Sequence, residues 1–354
     1  LVELALVYSE DLLSYDLGPS HPLRQLRVKK ALKLMEEIGL LNSGKVALTP
    51  PREASEEELK LFHDEAYIDY VKERCAEGEG YLDYGDTPVF KDCFRASKLV
   101  VGATLKALEE VIEGRALRSV NLAGGLHHAH PDRASGFCVF NDVAIGIAYL
   151  FERGFEKVAY VDIDAHHGDG VMYGFYGDGR LLNLDFHEDG RFLFPGTGSL
   201  EELGEGEAKG LKVNFPLPPY SGDDVFLKAF KRLVPKLVRK FEPEYLILQC
   251  GADGYKGDPL THLQYSTYAY EEVVKELIEI AQEVCDGRLT VLGGGGYSYD
   301  NVARVWCLAT CLLAGYEAPK LREIRDREPT ISPREVIEEV EERLRKLSEL
   351  LKTT

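Results

Sequence analysis

Asp164 and His166 stand two residues apart and offer one cation a carboxylate and an imidazole. On an extended segment side chains two apart leave the same face, and Asp253 adds a third N/O donor. Three such ligands are typical of a catalytic zinc that keeps a coordination place for water. The same donors also suit manganese or iron, and a lone Asp-x-His is as readily a buried hydrogen bond without metal. The density of carboxylates favours the metal, because buried carboxylates need pairing. His127 and His128 follow the pair Gly124-Gly125, which lets backbone come close to a ligand. Asp162 and Asp169 could accept their distal ring protons, tuning one imidazole as base and the other as acid or electrostatic partner. Tyr297 ends a run of four glycines, 293–296. Its phenol could donate to an oxyanion without carrying charge, or it could be an ordinary turn tyrosine among the 19 present. Spacing alone leaves that open.

These residues need elements to position them. Short β-rich runs at 4–8, 119–122, 158–163, 181–186, 245–249 and 289–292 alternate with helical periodicity at 26–38, 55–75, 94–113, 225–241 and 268–284. Ser55 with Glu58 makes a capping box at the start of the second helix. Such alternation predicts an α/β fold, a three-layer α/β/α sandwich around a central, mainly parallel sheet. Ligands bind beyond the carboxyl ends of strands in these sheets. Four of the runs lead directly into His127-His128, Asp164 to Asp169, Asp253 and Tyr297, so one pocket could receive all four. No internal repeat is visible. After a polar, Pro-punctuated connection at 319–333, Val336, Val340, Leu344, Leu347 and Leu351 share one helical face. We therefore expect a catalytic domain at 1–318, and at 319–354 a connection and an amphipathic terminal helix that could pair with another subunit but, with a stripe of only about two heptads, is expected to dock on its own domain.

The chain of 354 residues is 45% hydrophobic and 29% charged, the balance of a globular enzyme. Its net charge of −18 argues against direct nucleic-acid binding and favours cationic substrates, although it also serves solubility. The longest apolar stretch, near Val305 to Ala314, is far too short for a membrane span, and the acidic start does not resemble a secretory signal, so a cytoplasmic setting is expected. The seven cysteines are scattered without a Cys-x-x-Cys pair, which suggests neither a disulfide framework nor a thiolate zinc site. Cys307 and Cys311 are expected to be buried free thiols on a helix. Two methionines among many Glu, Lys and Arg suit a thermophile.

The segments 127–138, 162–170, Phe194-Pro195-Gly196-Thr197-Gly198, Gly251-Ala252-Asp253 with Gly257-Asp258-Pro259-Leu260, and 293–297 resemble, in order, the signatures of zinc-dependent deacetylases. The resemblance is to the histone deacetylase and acetoin-utilization deacetylase family and spans about residues 4–315. It implies an arginase-deacetylase fold, one Zn²⁺ on Asp164, His166 and Asp253, His127 and His128 as the catalytic pair with Asp162 and Asp169 as supports, and Tyr297 on the carbonyl oxygen. Arginase-type relatives carry further carboxylates where this chain has Gly168 and Tyr255, which implies a single ion. The same resemblance places Gly136, Phe137, Phe194 and Leu260 around a narrow tunnel suited to the methylene stem of acyl-lysine, Asp86 on its rim, and Arg27 at an inner cavity. Relatives often have Ser where Asp185 precedes Phe186-His187, a position that helps form a structural K⁺ site.

The implied activity is hydrolysis of an acyl-amine amide, most directly deacetylation of acetyl-lysine in proteins. An acetylpolyamine or other small acyl-amine is the alternative substrate. A catalytically silent module that binds acyl-lysine is the non-enzyme alternative, disfavoured by the completeness of the machinery.

Overall fold

The computed structural model describes residues 2–353. Among them eight strands form one wholly parallel sheet: β1 Val2–Val7, β2 Val46–Thr49, β3 Ala116–Asn121, β4 Val158–Asp162, β5 Leu181–Glu188, β6 Lys212–Leu217, β7 Tyr245–Gln249 and β8 Leu289–Leu292. Their order is β2-β1-β3-β8-β7-β4-β5-β6. Four adjacent strands in the middle, β3, β8, β7 and β4, are the ones whose ends run into the reactive residues.

Both faces of the sheet are buried, as a parallel sheet requires. Val158 and Tyr160 of β4, with Tyr245 and Ile247 of β7, pack against Val143, Ile147 and Leu150 of the Asp142–Glu152 helix. The alternate residues Ala159, Val161, Leu246 and Leu248 belong to the core on the opposite face, with helices Leu26–Glu37, Asp223–Phe241, Thr267–Val284 and Tyr299–Leu313. The period of two therefore assigns each strand residue to one of two helical layers, and the three-layer sandwich follows. Cys307 and Cys311 lie buried and unpaired on the Tyr299–Leu313 helix, which is the apolar stretch seen in the sequence. No helix among the described residues is long and apolar enough to cross a membrane.

Three expectations need correction. The single helix over 55–75 is two, Glu56–Leu59 and Glu65–Glu77. The capping box on Ser55 and Glu58 forms, but the chain turns at 60–64 so that His63 is buried and its Nε2 accepts the Asn141 N–H at 2.9 Å. That tertiary bond and the Asp64 N–H to Pro131 O bond outweigh continued helix. The edge strands β2 and β6 were not foreseen: one has only four residues, and the other contains Pro216, which an edge position tolerates. Finally, Cys75 and Cys93 form a disulfide. They end one helix and begin the next, Cα atoms 5.7 Å apart, a meeting that 18 residues of separation do not disclose.

The terminal helix, Arg334–Leu350, docks on its own chain. Val336, Val340, Leu344 and Leu347 are buried and Leu351 is half-buried, while Arg343 donates to Pro216 O of edge strand β6 and to Asp189 Oδ2, both at 2.6 Å. Burial works against the charge on Asp189, but Arg191 and Arg343 overcome it and hold the carboxyl down to about 2. Such a group stabilises above the ordinary carboxylate range, and its contribution is lost as pH falls through about 2.

Arg343→Ala is expected to cost about 2 kcal/mol in urea unfolding at neutral pH, because it removes a charge-assisted hydrogen bond from a largely buried carboxylate and leaves it Arg191 alone, and to cost less near pH 2; an equal loss at both pH values would contradict the pairing. Cys75→Ser should lower stability by about 3 kcal/mol, the loop-closure value for a loop of this length, as read from the unfolding midpoint of the oxidised protein.

Candidate active site

The carboxyl ends of the adjacent strands β4 and β7 bring Asp164, His166 and Asp253 into one buried cluster whose donor atoms lie within 4.8 Å of one another. His166 Nδ1 stands 2.8 Å from Asp253 Oδ2 and 3.3 Å from Asp164 Oδ1. The remaining carboxylate oxygens are held by backbone: Gly295 N–H donates to Asp164 Oδ2 at 2.6 Å, and Ala165 N–H to Asp253 Oδ1 at 2.9 Å. A Cβ on residue 295 would stand 2.1 Å from Asp253 Oδ2, so glycine there is what lets the β8 loop close on the cluster. Burial and the Asp164 charge push Asp253 up to about 7. Burial acts on Asp164 too, yet His127 and His166 hold it below the usual carboxylate range. One imidazole nitrogen therefore faces two carboxylates, only one of which its single proton can satisfy. A divalent cation in its place would meet all three donors at once, and the donor set fits zinc.

Beside this cluster, His127 Nδ1 lies 2.7 Å from Asp162 Oδ2 and His128 Nδ1 lies 2.7 Å from Asp169 Oδ1. Burial opposes the Asp169 charge, but His128 and His130 hold it well below the usual range, so the ionised carboxylate accepts and His128 carries its proton on Nδ1. Burial, then the neighbouring His127, pushes His128 down to about 4, which leaves Nε2 an unprotonated acceptor at neutral pH. Asp162 also accepts from Tyr160 Oη at 2.6 Å and from Asp164 N–H at 3.0 Å.

Above the cluster a tunnel of about 230 Å³ is lined by Asp86, Gly136, Phe137, Phe194 and Leu260 together with His128, His166, Leu193 and Tyr297. All five residues proposed from the sequence for substrate contact are thus brought together. Phe194 meets His128 edge-to-face at 5.1 Å, and Phe137 meets Tyr297 at 6.1 Å. Gly136 has φ +53°, and a Cβ there would press on His128 and Phe194 at 2.6 to 2.9 Å. Phe137 has φ +73°, a conformation costly for an aromatic residue. It is held by Tyr15 Oη donating to its carbonyl at 2.6 Å and by its own N–H donating to Thr87 Oγ1 at 3.1 Å. Burial pushes the Tyr297 phenol well up, so it remains a neutral donor. Arg27 is buried behind it, 5.1 Å from the Trp306 ring and donating to Gly296 O at 2.9 Å.

A second cluster, His167, Asp185 and His187, lies on the side of β5. Here Asp185 accepts from His187 Nδ1 at 2.6 Å and from Gly168 N–H at 2.9 Å, while His187 Nε2 donates to Gly198 O at 2.9 Å. Asp185 thus meets donors from the protein itself at the position where relatives often have a serine.

Some positioning residues were given no role from sequence. Asp258 accepts from Tyr297 N–H at 2.8 Å and Leu260 N–H at 2.9 Å, joining the phenol to the tunnel wall. Asp142 accepts from Gly125 and Leu126 N–H and from Thr104, fixing the turn that carries both histidines. His130 shares Asp169 at 3.0 Å, and Leu193 completes the tunnel. For Leu193, adjacency to Phe194 was the available signal; for the two aspartates there was none beyond motif membership or a buried acid.

The comparisons with known proteins point the same way. Residues 21–313 match the histone deacetylase domain. The chain belongs to the histone deacetylase family. It is similar to the acetoin utilization protein AcuC of Bacillus subtilis (strain 168), 41% identical with 88% of this chain and 84% of that protein covered. AcuC of Staphylococcus aureus (strain MRSA252) is 38% identical over 86% of this chain and 80% of its own length. Among solved structures, an HDAC homolog complexed with SAHA superposes with a TM-score of 0.84 at 34% identity, covering 98% of this chain and 99% of that one. An HDAC homolog from Aquifex aeolicus gives 0.84 at 33%, covering 97% and 99%. The fold of this family member is accordingly the arginase-deacetylase fold, and its activity is that of a deacetylase, a hydrolase acting on acylated amines.

A saturating divalent metal should stabilise the folded chain by about 3 kcal/mol at a hundredfold excess over its dissociation constant. Asp253→Ala is expected to abolish that shift in a thermal melt, whereas His187→Ala leaves it intact; the reverse pattern would move the metal to the second cluster.

Proposed function

We propose that this deacetylase is zinc-dependent and removes acetyl groups from lysine side chains of polypeptides. The observation that carries the reading is the placement of His128, His166 and Tyr297 at the floor of a tunnel walled by Phe137 and Phe194 and rimmed by Asp86. A tunnel of this width and lining suits an unbranched, apolar stem ending in a polar carbonyl. Asp86 is exposed, and its carboxylate accepts no hydrogen bond among the described residues, which leaves it for a substrate's backbone amide. We assign the ion to Asp164, His166 and Asp253 because His187 of the other cluster spends both ring nitrogens on Asp185 and Gly198. The potassium implied by the resemblance would have to share Asp185 with His187 and Gly168.

When bound, zinc supplies a Lewis acid for the amide carbonyl and lowers the pKa of water. His128, unprotonated on Nε2 and facing the tunnel, takes the proton of the attacking water. Tyr297 donates its phenolic hydrogen to the oxygen on which negative charge grows. The histidine pair then returns that proton to the leaving nitrogen as the C–N bond breaks, which gives a neutral amine and a carboxylic acid; the acid's own proton then passes to the amine or to solvent. Asp162 and Asp169 hold the two rings in the required tautomer and orientation. Residues 1–318 form the catalytic domain in this reading, with 319–354 bracing it, and the setting is the cytoplasm; a disulfide there accords with a thermophilic source.

Tyr297→Phe should lower kcat for an acetyl-lysine peptide by about a hundredfold, the order seen on losing one oxyanion donor, with KM changed only a few-fold. Unchanged kcat would remove Tyr297 from the mechanism.

A further inference from the structure

A larger cavity beside the tunnel has no role in the reaction just described. It is a surface groove of about 620 Å³ that shares Asp86, Gly136 and Phe194 with the tunnel, so the two are continuous at the mouth. Four aspartates line it, Asp64, Asp83, Asp86 and Asp132, against a single cation, Arg133, which is itself paired with Asp132 at 2.8 Å. Asp83 is consumed by the loop, accepting the N–H groups of residues 85 to 87. Asp64 heads the Glu65–Glu77 helix but makes no capping bond to it, and like Asp86 its carboxylate accepts no hydrogen bond among the described residues. Tyr70, 40% exposed, supplies an aromatic face on the same wall.

We infer that this groove receives a basic side chain, lysine or arginine, of the polypeptide that carries the acetyl-lysine. The inference rests on the deacetylase reading of the tunnel and names what lies beside its substrate. Among the described residues Asp64 is unpartnered and the exposed Asp132 has only its neighbour Arg133 for partner, and both stand with a tyrosine ring in one groove. This matches a guanidinium or ammonium on an aliphatic stem, which gains charge pairing, cation–π attraction and cover for its methylenes. The net charge of −18 draws such a segment in from a distance. The groove also selects among amines. An acetylpolyamine also carries ammonium groups, but on a thin unbranched chain without a backbone amide for Asp86, so it fills less of a groove more than twice the tunnel's volume. A peptide carries side chains on either side of the acetylated one and fills it. The wall bearing Asp83 and Asp86 is braced by the Cys75–Cys93 disulfide and by Asp83 accepting three N–H groups of its own loop, which limits the ordering that opposes binding.

The test gives zinc-supplemented protein matched acetyl-lysine peptides bearing Arg, Ala or Glu near the acetylated residue, and an acetylpolyamine. Arginine-flanked peptides should exceed alanine-flanked ones in kcat/KM by about fivefold, as expected for one or two exposed charge pairs, through KM and with a loss of preference at high salt. Asp64→Asn with Asp132→Asn should bring the arginine peptide down to the level of the alanine peptide. Asp64→Lys with Asp132→Lys should turn the preference toward glutamate, which a merely structural role would not do. Peptide affinity is read in parallel by fluorescence anisotropy on Tyr297→Phe. A charge preference in binding without turnover of any peptide by the unaltered protein would overturn the deacetylase reading and keep the groove. Turnover with equal kcat/KM for Arg, Ala and Glu peptides, or faster turnover of the acetylpolyamine than of every peptide, would overturn the groove and keep the deacetylase.

Discussion

Negative charge buried at the ends of β4 and β7, in the middle of the sheet, is the constraint around which this molecule is arranged. Asp162, Asp164 and Asp253 are almost wholly shielded from water, and each would be costly there without partners. Backbone N–H groups answer part of the demand, those of Gly295 and Ala165 for the two metal-facing acids. Imidazoles answer another part. What remains is the face shared by Asp164 and Asp253, where a single His166 nitrogen stands between two carboxylates. A cation resolves that arrangement, and the surrounding chain is shaped to bring the donors close enough to share one: a side chain at position 251 would collide with Asp164, and one at 295 with Asp253.

The order of the sheet makes this convergence possible. Because β3, β8, β7 and β4 are adjacent, the histidine turn, the β8 glycine loop, Asp253 and the Asp164–Asp169 segment open onto one crevice. The layers above it then do separate jobs. Asp142 and Asp258 satisfy N–H groups in the loops that carry the histidines and Tyr297, so the reacting groups sit on braced turns. Tyr15 and Thr87 hold Phe137 in its costly conformation at the tunnel wall. At the edge of the sheet the terminal helix packs on the Asp223–Phe241 helix, and its Arg343 reaches Pro216 O of β6 and Asp189, at the head of the loop leading to Phe194.

Much of the site was legible because its residues follow short, largely apolar strand runs, a pattern produced by burial on both faces, and because the Asp-x-His spacing matches the period of an extended chain. The catalytic turn and the tunnel wall came from the family resemblance; the structure brings those residues together, and spacing alone had left Tyr297 undecided. The unread parts share a physical cause, dependence on distant chain. The break at 60–64 is bought by bonds to 131 and 141. The Cys75–Cys93 bridge needs two helix ends to meet. The edge strands β2 and β6 gain their form from neighbours, being short in one case and interrupted by Pro216 in the other. Asp258 and Asp142 act by accepting backbone N–H groups, and no side-chain pattern announces that role.

X-ray absorption spectroscopy of the zinc-loaded protein reads the shared cation site itself. One zinc per chain is expected, with only nitrogen and oxygen neighbours at about 2.0–2.1 Å, a single imidazole among them, and with loss of that signal on Asp253→Ala. Sulfur scattering, two or more imidazoles on the ion, or an unchanged spectrum in that variant would contradict it.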